Sequence, residues 1–234
     1  VVLNANNSFA QQVDDVLNGK DTTSTHLKIM ETPFLLRQIG MQNLPILTKA
    51  ITIKKANAKL GTYPGYHCHD LDREIIKKWP ELLADPVMIM DSLTRDDSVV
   101  VLTATTDKEN RPVIGAIKFN DTGQLNGQFV NANILSSSYG RKNFEEFIKR
   151  NIDENTILYW NNEKSQALSV NLGVQFPNIM TKLASNTIIR KAKAYVNSSE
   201  ENNFENTKKD EKQVEQAQQV EQVKNIVNPY YKNY

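Results

Sequence analysis

An α+β fold is the class this sequence predicts: N-terminal helices packed on a small antiparallel β-sheet, followed by a charged, partly helical or disordered C-terminal tail. Three observations predict it. Amphipathic helical spacing dominates the first third of the chain, β-branched runs divided by turn residues fill the middle, and past about residue 195 the composition turns to Glu, Gln, Lys and Asn with scattered valines. The expected organisation is an N-terminal helix and linker over 1–25, a folded domain over 26–185 and the tail over 186–234.

Each element has its own justification. NSFAQQVDDVLNG places Phe9, Val13 and Leu17 on one helical face with Gly19 as a stop. Asp21 to Thr25 is polar and predicts a linker. HLKIMETPFLLRQIG reads as a short extended segment, then a helix opening near Pro33 and closing at Gly40, while LPILTKAITI reads as extended. HDLDREIIKKW predicts a helix with Asp70 as its cap, Leu71, Ile75, Ile76 and Trp79 available to its inward face, and Pro80 ending it. The period then changes. VMIM, SVVVLTAT, PVIGAIKF and FVNANILS are apolar or β-branched runs separated by DSLTRDD, DKENR and NDTGQLNG, the pattern of an antiparallel meander. RKNFEEFIKRNI predicts a helix with Phe144, Phe147 and Ile148 inward, and TILYW and a KSQAL segment follow before Gly173. In the tail, valine and isoleucine spacing allows a thin helix over about 209–227, exposed or docked on a partner.

Composition narrows the function classes. The formal net charge is +1, so no global field draws the chain to nucleic acid or an anionic membrane, and such binding needs a local basic patch. No apolar run of about eighteen residues and no signal-peptide pattern is visible, which predicts a soluble chain without membrane contact. The single cysteine rules out an internal disulfide. Val1 in place of Met is expected of a trimmed chain or a piece of a longer polypeptide.

Chemistry concentrates in GYHCHDLDREIIKKWP, where two of the three histidines flank that cysteine. His67 and His69 could hold a metal from one side of a strand, but a site needs further ligands, and only carboxylates such as Asp70 or Asp72 are close in sequence. The ligand count argues for no metal. Alternatively, His69 at a loop-to-helix junction could act as a base near neutral pH, against the commoner role of a packing or polar histidine. Lys49, Lys54, Lys55, Lys59, Arg73, Lys77 and Lys78 surround this segment, and they could hold a phosphate or form a solvated face. ILSSSYGRKN sets Ser137, Tyr139, Arg141 and Lys142 at a strand end, where hydroxyls and cations often line clefts. Tyr159, Trp160 and Gln175 could meet bases, although buried strand aromatics are more usual.

In order, His69-Asp-Leu, WPELLADP, a strand ending Asp-Ser, SVVVLTATTDKENRPVIGAIKF, NANILSSSYGR, ILYWNN and GVQFP together resemble the phage MuF C-terminal domain, a barnase–EndoU–colicin–RelE-like nuclease domain of phage head-associated proteins and polymorphic toxins. The likeness covers about residues 26–180. It implies a helical lead-in on an antiparallel sheet and metal-independent, cofactor-free cleavage of RNA, with transfer RNA among the substrates, by attack of the 2′-hydroxyl on the adjacent phosphate. His69 matches the family's histidine and would be the base. Ser137 and Tyr139 match its Ser-x-Tyr element, Lys59 would stabilise charge, and Arg141, Tyr159 and Gln175 would touch substrate. Implied partners are RNA and an immunity or phage capsid protein, and the implied setting is a phage particle or a secreted effector acting in a bacterial cytoplasm. A non-catalytic RNA- or protein-binding module on the same scaffold is the alternative, and an ADP-ribosyltransferase is a third reading.

Overall fold

In the computed structural model, residues 8–20, 26–173, 187–193 and 195 are described. The chain divides into two units, 1–194 and 195–234; all that follows concerns the first. The tail helix expected over 209–227 and the linker over 21–25 lie outside the described residues.

The elements run α1 (Phe9–Leu17), β1 (His26–Glu31), α2 (Phe34–Gln38), β2 (Pro45–Lys49), α3 (Ala50–Asn57), α4 (Arg73–Lys77), α5 (Trp79–Ala84), β3 (Met88–Asp91), β4 (Ser98–Thr106), β5 (Pro112–Leu125), β6 (Gln128–Gly140), α6 (Phe144–Asp153), β7 (Ile157–Trp160), α7 (Asn162–Leu172) and β8 (Thr187–Ile188). The class is α+β. The sheet, however, is neither small nor wholly antiparallel: it has eight strands in the order β1-β2-β6-β5-β4-β3-β7-β8, and β2 runs parallel to β6. The meander β3-β4-β5-β6 is antiparallel throughout.

Both faces of this sheet are covered, which explains why its strands read as unbroken apolar runs. Ile89, Val99, Val101, Val113 and Ile117 enter one core with Phe9, Val13, Leu36, Ile53, Ile76, Trp79 and Leu83 from the first five helices. Their neighbours Met88, Met90, Leu102 and Ile114 enter a second core with Phe144, Ile148 and Leu168 from α6 and α7. The period-2 alternation of strand side chains thus divides the two layers. Helix α1 belongs to the first core: Phe9 stacks on Trp79 with ring centroids 6.0 Å apart.

Four local expectations are corrected. AITI is helical, not extended, because Lys49 closes β2 and Thr52, Ile53 and Ala56 turn into the core. The cap of α4 is Asp72, whose carboxylate accepts from Glu74 N at 2.9 Å, whereas Asp70 sits in a left-handed turn (φ 51°). Pro80 does not end a helix but occupies the first turn of α5, where its missing N–H costs nothing. NDTGQLNG is not a loop: β5 and β6 continue pairing through it as a long hairpin to Leu125 and Gln128.

Candidate functional site

A cavity opens where β2 leaves the sheet. β2 pairs with β6 only at Asn133, Ile134 and Leu135, so the outer edge of β6 from Ser136 to Gly140 has no strand beside it. The loop after α3 fills that space. Three backbone hydrogen bonds fix its end to the last turn of α3: His69 N to Lys55 O (3.0 Å), Leu71 N to Ala56 O (2.7 Å) and Asp70 N to Ala58 O (2.9 Å). Leu71 is fully buried, and Asn57 Nδ2 donates to its carbonyl at 2.9 Å. His69 is therefore held from both sides: a core leucine anchors the residue two places on, and α3 fixes its own N–H. The left-handed backbone at Asp70 is uncommon for a residue with a side chain and makes the sharp exit into α4.

The imidazole of His69 stacks on the ring of Tyr139, with centroids 4.9 Å apart and planes 25° from parallel. Burial first, then the positive charges of Lys55, His67 and Arg111, push the His69 pKa below the ordinary histidine value. The ring is accordingly neutral at pH 7, the form that can accept a proton. Around the pair, a cavity of about 390 Å³ is lined by Leu60, His67, Cys68, Asp70, Glu109, Arg111 and Gly140 to Lys142.

Charge in this cavity is unevenly compensated. Asp70 pairs with Lys108 at 3.1 Å. Arg111 is spent on two carboxylates, Asp107 at 2.6 Å and Glu109 at 2.8 Å. Arg141 differs: its guanidinium lies 4.5 Å over the Phe147 ring, its buried Nε has no partner, and it forms no hydrogen bond or ion pair through its side chain among the described residues. Lys142 beside it is exposed and likewise unpaired among the described residues. A half-buried arginine with its donor fork unused is a ready site for an oxyanion.

The β4–β5 turn supplies the opposite wall. Asp107, nearly inaccessible, accepts from Glu109 N and Arg111 N (both 2.9 Å) and from Arg111 Nε (2.6 Å). Only a glycine at 140 leaves room for it, since a Cβ there would lie 1.9 Å from Asp107 Oδ2.

The residues singled out in sequence thus separate. His69, Tyr139 and Arg141 meet in one cavity. Ser137 lies on the same strand, half-buried and paired with Ala116, outside the lining. Lys59 is exposed and also outside it; its carbonyl accepts from Thr62 N and Oγ1. Tyr159 is buried in the first core opposite Ile89, and that burial raises its pKa against the hydrogen bond to Asn161. Gln175 lies outside the described residues. Sequence reasoning passed over Arg111 and Glu109, whose only signal was an Asp and an Arg four apart in a turn. Among the described residues no group of three His, Cys, Asp or Glu side chains could hold a metal ion, and no helix is long and apolar enough to cross a membrane.

Fold and cavity define a class: an α+β domain with both sheet faces covered and a cation-bearing cleft at an open strand edge. Residues 65–167 match the family model of the Phage MuF-C-terminal domain, so that this segment of the chain is similar to that phage family. The matched span contains every residue named above as lining the cavity except Leu60 and is narrower than the 26–180 expected from sequence, leaving α1 to α3, β1 and β2 outside it. No curated protein and no solved structure matches the chain.

Proposed function

We propose that this domain is a metal-independent endoribonuclease of the phage or toxin type, and the observation that carries the reading is the His69–Tyr139 stack beside the unspent guanidinium of Arg141. Neutral His69 takes the proton of a 2′-hydroxyl, whose oxygen attacks the adjacent phosphorus. Charge accumulates on the nonbridging oxygens, and Arg141 with Lys142 stabilises it. As the bond from phosphorus to the 5′-oxygen breaks, the Tyr139 hydroxyl protonates the leaving oxygen, and protonated His69 restores the phenol. The products are a 2′,3′-cyclic phosphate and a 5′-hydroxyl, with no net proton consumed. Ser137, two residues before Tyr139 on the same strand and outside the cavity lining, takes no step in this scheme. The phage family match supports delivery with a phage particle.

The test is incubation of end-labelled RNA, transfer RNA included, with purified protein in EDTA. Cleavage that leaves cyclic phosphate ends and falls about 10²- to 10⁴-fold in His69→Ala supports the reading. Inert wild-type protein overturns it.

One observation favours the second reading, a non-catalytic RNA- or protein-binding module: the His69 imidazole has only its ring contact with Tyr139, and no side chain among the described residues hydrogen-bonds to orient it. In that case RNA stays intact while a mobility shift or a co-purified protein partner, such as a capsid or immunity protein, appears.

A further inference from the structure

A second cavity, of about 340 Å³, lies behind the first, and the two share Glu109, Arg111, Arg141 and Lys142. Its other walls are of different chemistry. Pro112, Phe144 and Leu172 give it apolar surfaces, and Asn110 and Asn143 give it amides. Asn143 stands at φ 49° before α6, where its backbone carbonyl accepts from Phe147 N, while its amide forms no hydrogen bond among the described residues. The two uncompensated cations therefore stand on a partition between two hollows: an imidazole and a phenol line one, and apolar surface with a free amide lines the other.

We infer that the second cavity is a subsite for the nucleobase adjoining the scissile phosphate, so that the ligand is single-stranded and spans at least two nucleotides, with its bridging phosphate on Arg141 and Lys142. This rests on the ribonuclease reading above and adds to it a minimum ligand length. The chemistry fits: a base needs flat apolar contact for its faces and amide donors or acceptors for its edge, and the phosphate joining two nucleosides needs cations between them. A duplex would not fit, because its bases are paired and unavailable to a pocket on one side. A solvated surface between unrelated hollows would have its cations paired or spread, whereas here the neighbouring carboxylates are already engaged by Lys108 and Arg111.

Binding, not turnover, tests this. Non-cleavable 2′-deoxy oligonucleotides, from a nucleoside 3′-phosphate to a tetramer, are titrated into the wild-type protein. Affinity is expected to rise roughly tenfold or more from the mononucleotide to the dinucleotide. Leu172→Glu should remove most of that increment while leaving the mononucleotide affinity in place. Because Leu172 packs against the second core, Asn143→Gly serves as the companion variant: glycine keeps the left-handed backbone and deletes only the amide, and the same selective loss is expected. Equal affinity for one and two nucleotides overturns the subsite and leaves the cleavage reading standing. Duplex DNA or RNA binding as tightly as single strands also overturns it. Absence of binding to every oligonucleotide, together with inert protein in the cleavage assay, overturns both.

Discussion

Replacing Gly140 by alanine tests how tightly the floor of the candidate site is built. The new methyl would sit 1.9 Å from Asp107 Oδ2, 2.5 Å from its Cγ and 3.2 Å from Arg111 Cβ. None of these is a free side-chain end. Asp107 has 1% of its side chain exposed and holds two turn N–H groups and the Arg111 guanidinium. Overpacking alone costs about 1–3 kcal/mol, and breaking a buried ion pair about 3–5 kcal/mol. Since Arg111 is partly exposed and keeps Glu109, about 3–5 kcal/mol in all is the expected loss, a large part of the ~5–15 kcal/mol that folded domains possess. Urea unfolding followed by circular dichroism measures it. Gly127→Ala is the control: Gly127 has φ 80°, and nothing lies within 4 Å of the position its methyl would take, so only backbone strain of about 1–2 kcal/mol applies. In the Gly140→Ala, Asp107→Ala double variant the losses should fall well short of additive. Stability of Gly140→Ala within about 1 kcal/mol of wild type would refute the close approach and the account of the turn built on it.

Other perturbations separate charge from scaffold. Arg141→Ala should cost only about 0.5–1 kcal/mol of stability, because its side chain has no hydrogen bond to lose and gives up only the contact with the Phe147 ring. It should nonetheless weaken single-stranded binding about tenfold or more and reduce the salt slope by about 0.7 for each phosphate no longer neutralised, as fluorescence anisotropy at several salt concentrations would register. Arg141→Lys should restore little of it, since the fork and the stack on Phe147 go together. For pH, the pKa values of both His69 and His26 are lowered in the folded state, mainly by burial; the unfolded chain then binds more protons just below the ordinary histidine value of about 6.5. Stability is therefore present above that pH and lost as pH falls toward the folded values, and His26→Asn should flatten the loss seen by thermal melts between about pH 7 and 5. Asp91, buried with its Oδ1 accepting from Lys193 N at 3.0 Å and its Oδ2 2.6 Å from Arg190 Nη2, fastens the 187–193 segment. That second contact is an ion pair without hydrogen-bond geometry. Asp91→Asn should cost about 3 kcal/mol in urea unfolding, because it leaves the arginine uncompensated.

The meander and α6 were legible in sequence because each is a local pattern: a β-branched run between turn residues, or Phe144 and Ile148 at helical spacing. What stayed hidden depends on distant partners. The parallel pairing of β2 with β6 joins residues such as Thr48 and Leu135, whose side-chain hydrogen bond spans 87 positions. AITI has β propensity and becomes a helix only because its buried face meets α1, β6 and α4. At the site, His69, Tyr139 and Arg141 were recognisable by residue type and family likeness. Residue type does not reveal that Lys59 stands outside the cavity, that Tyr159 is core, or that Arg111 is consumed by Asp107 and Glu109 while Arg141 is not. Such distinctions are matters of pairing in space.

The division of the cavity between a loop at 60–70 and strand ends at 109–142 also sets an order of events during synthesis. The imidazole leaves the ribosome long before the phenol and the guanidinium that stand beside it, and the strand that seats them pairs with β2, made earlier still. A nascent chain halted before Tyr139 carries His69 on an unfinished scaffold, without the ring it stacks on or the guanidinium that lines the same cavity.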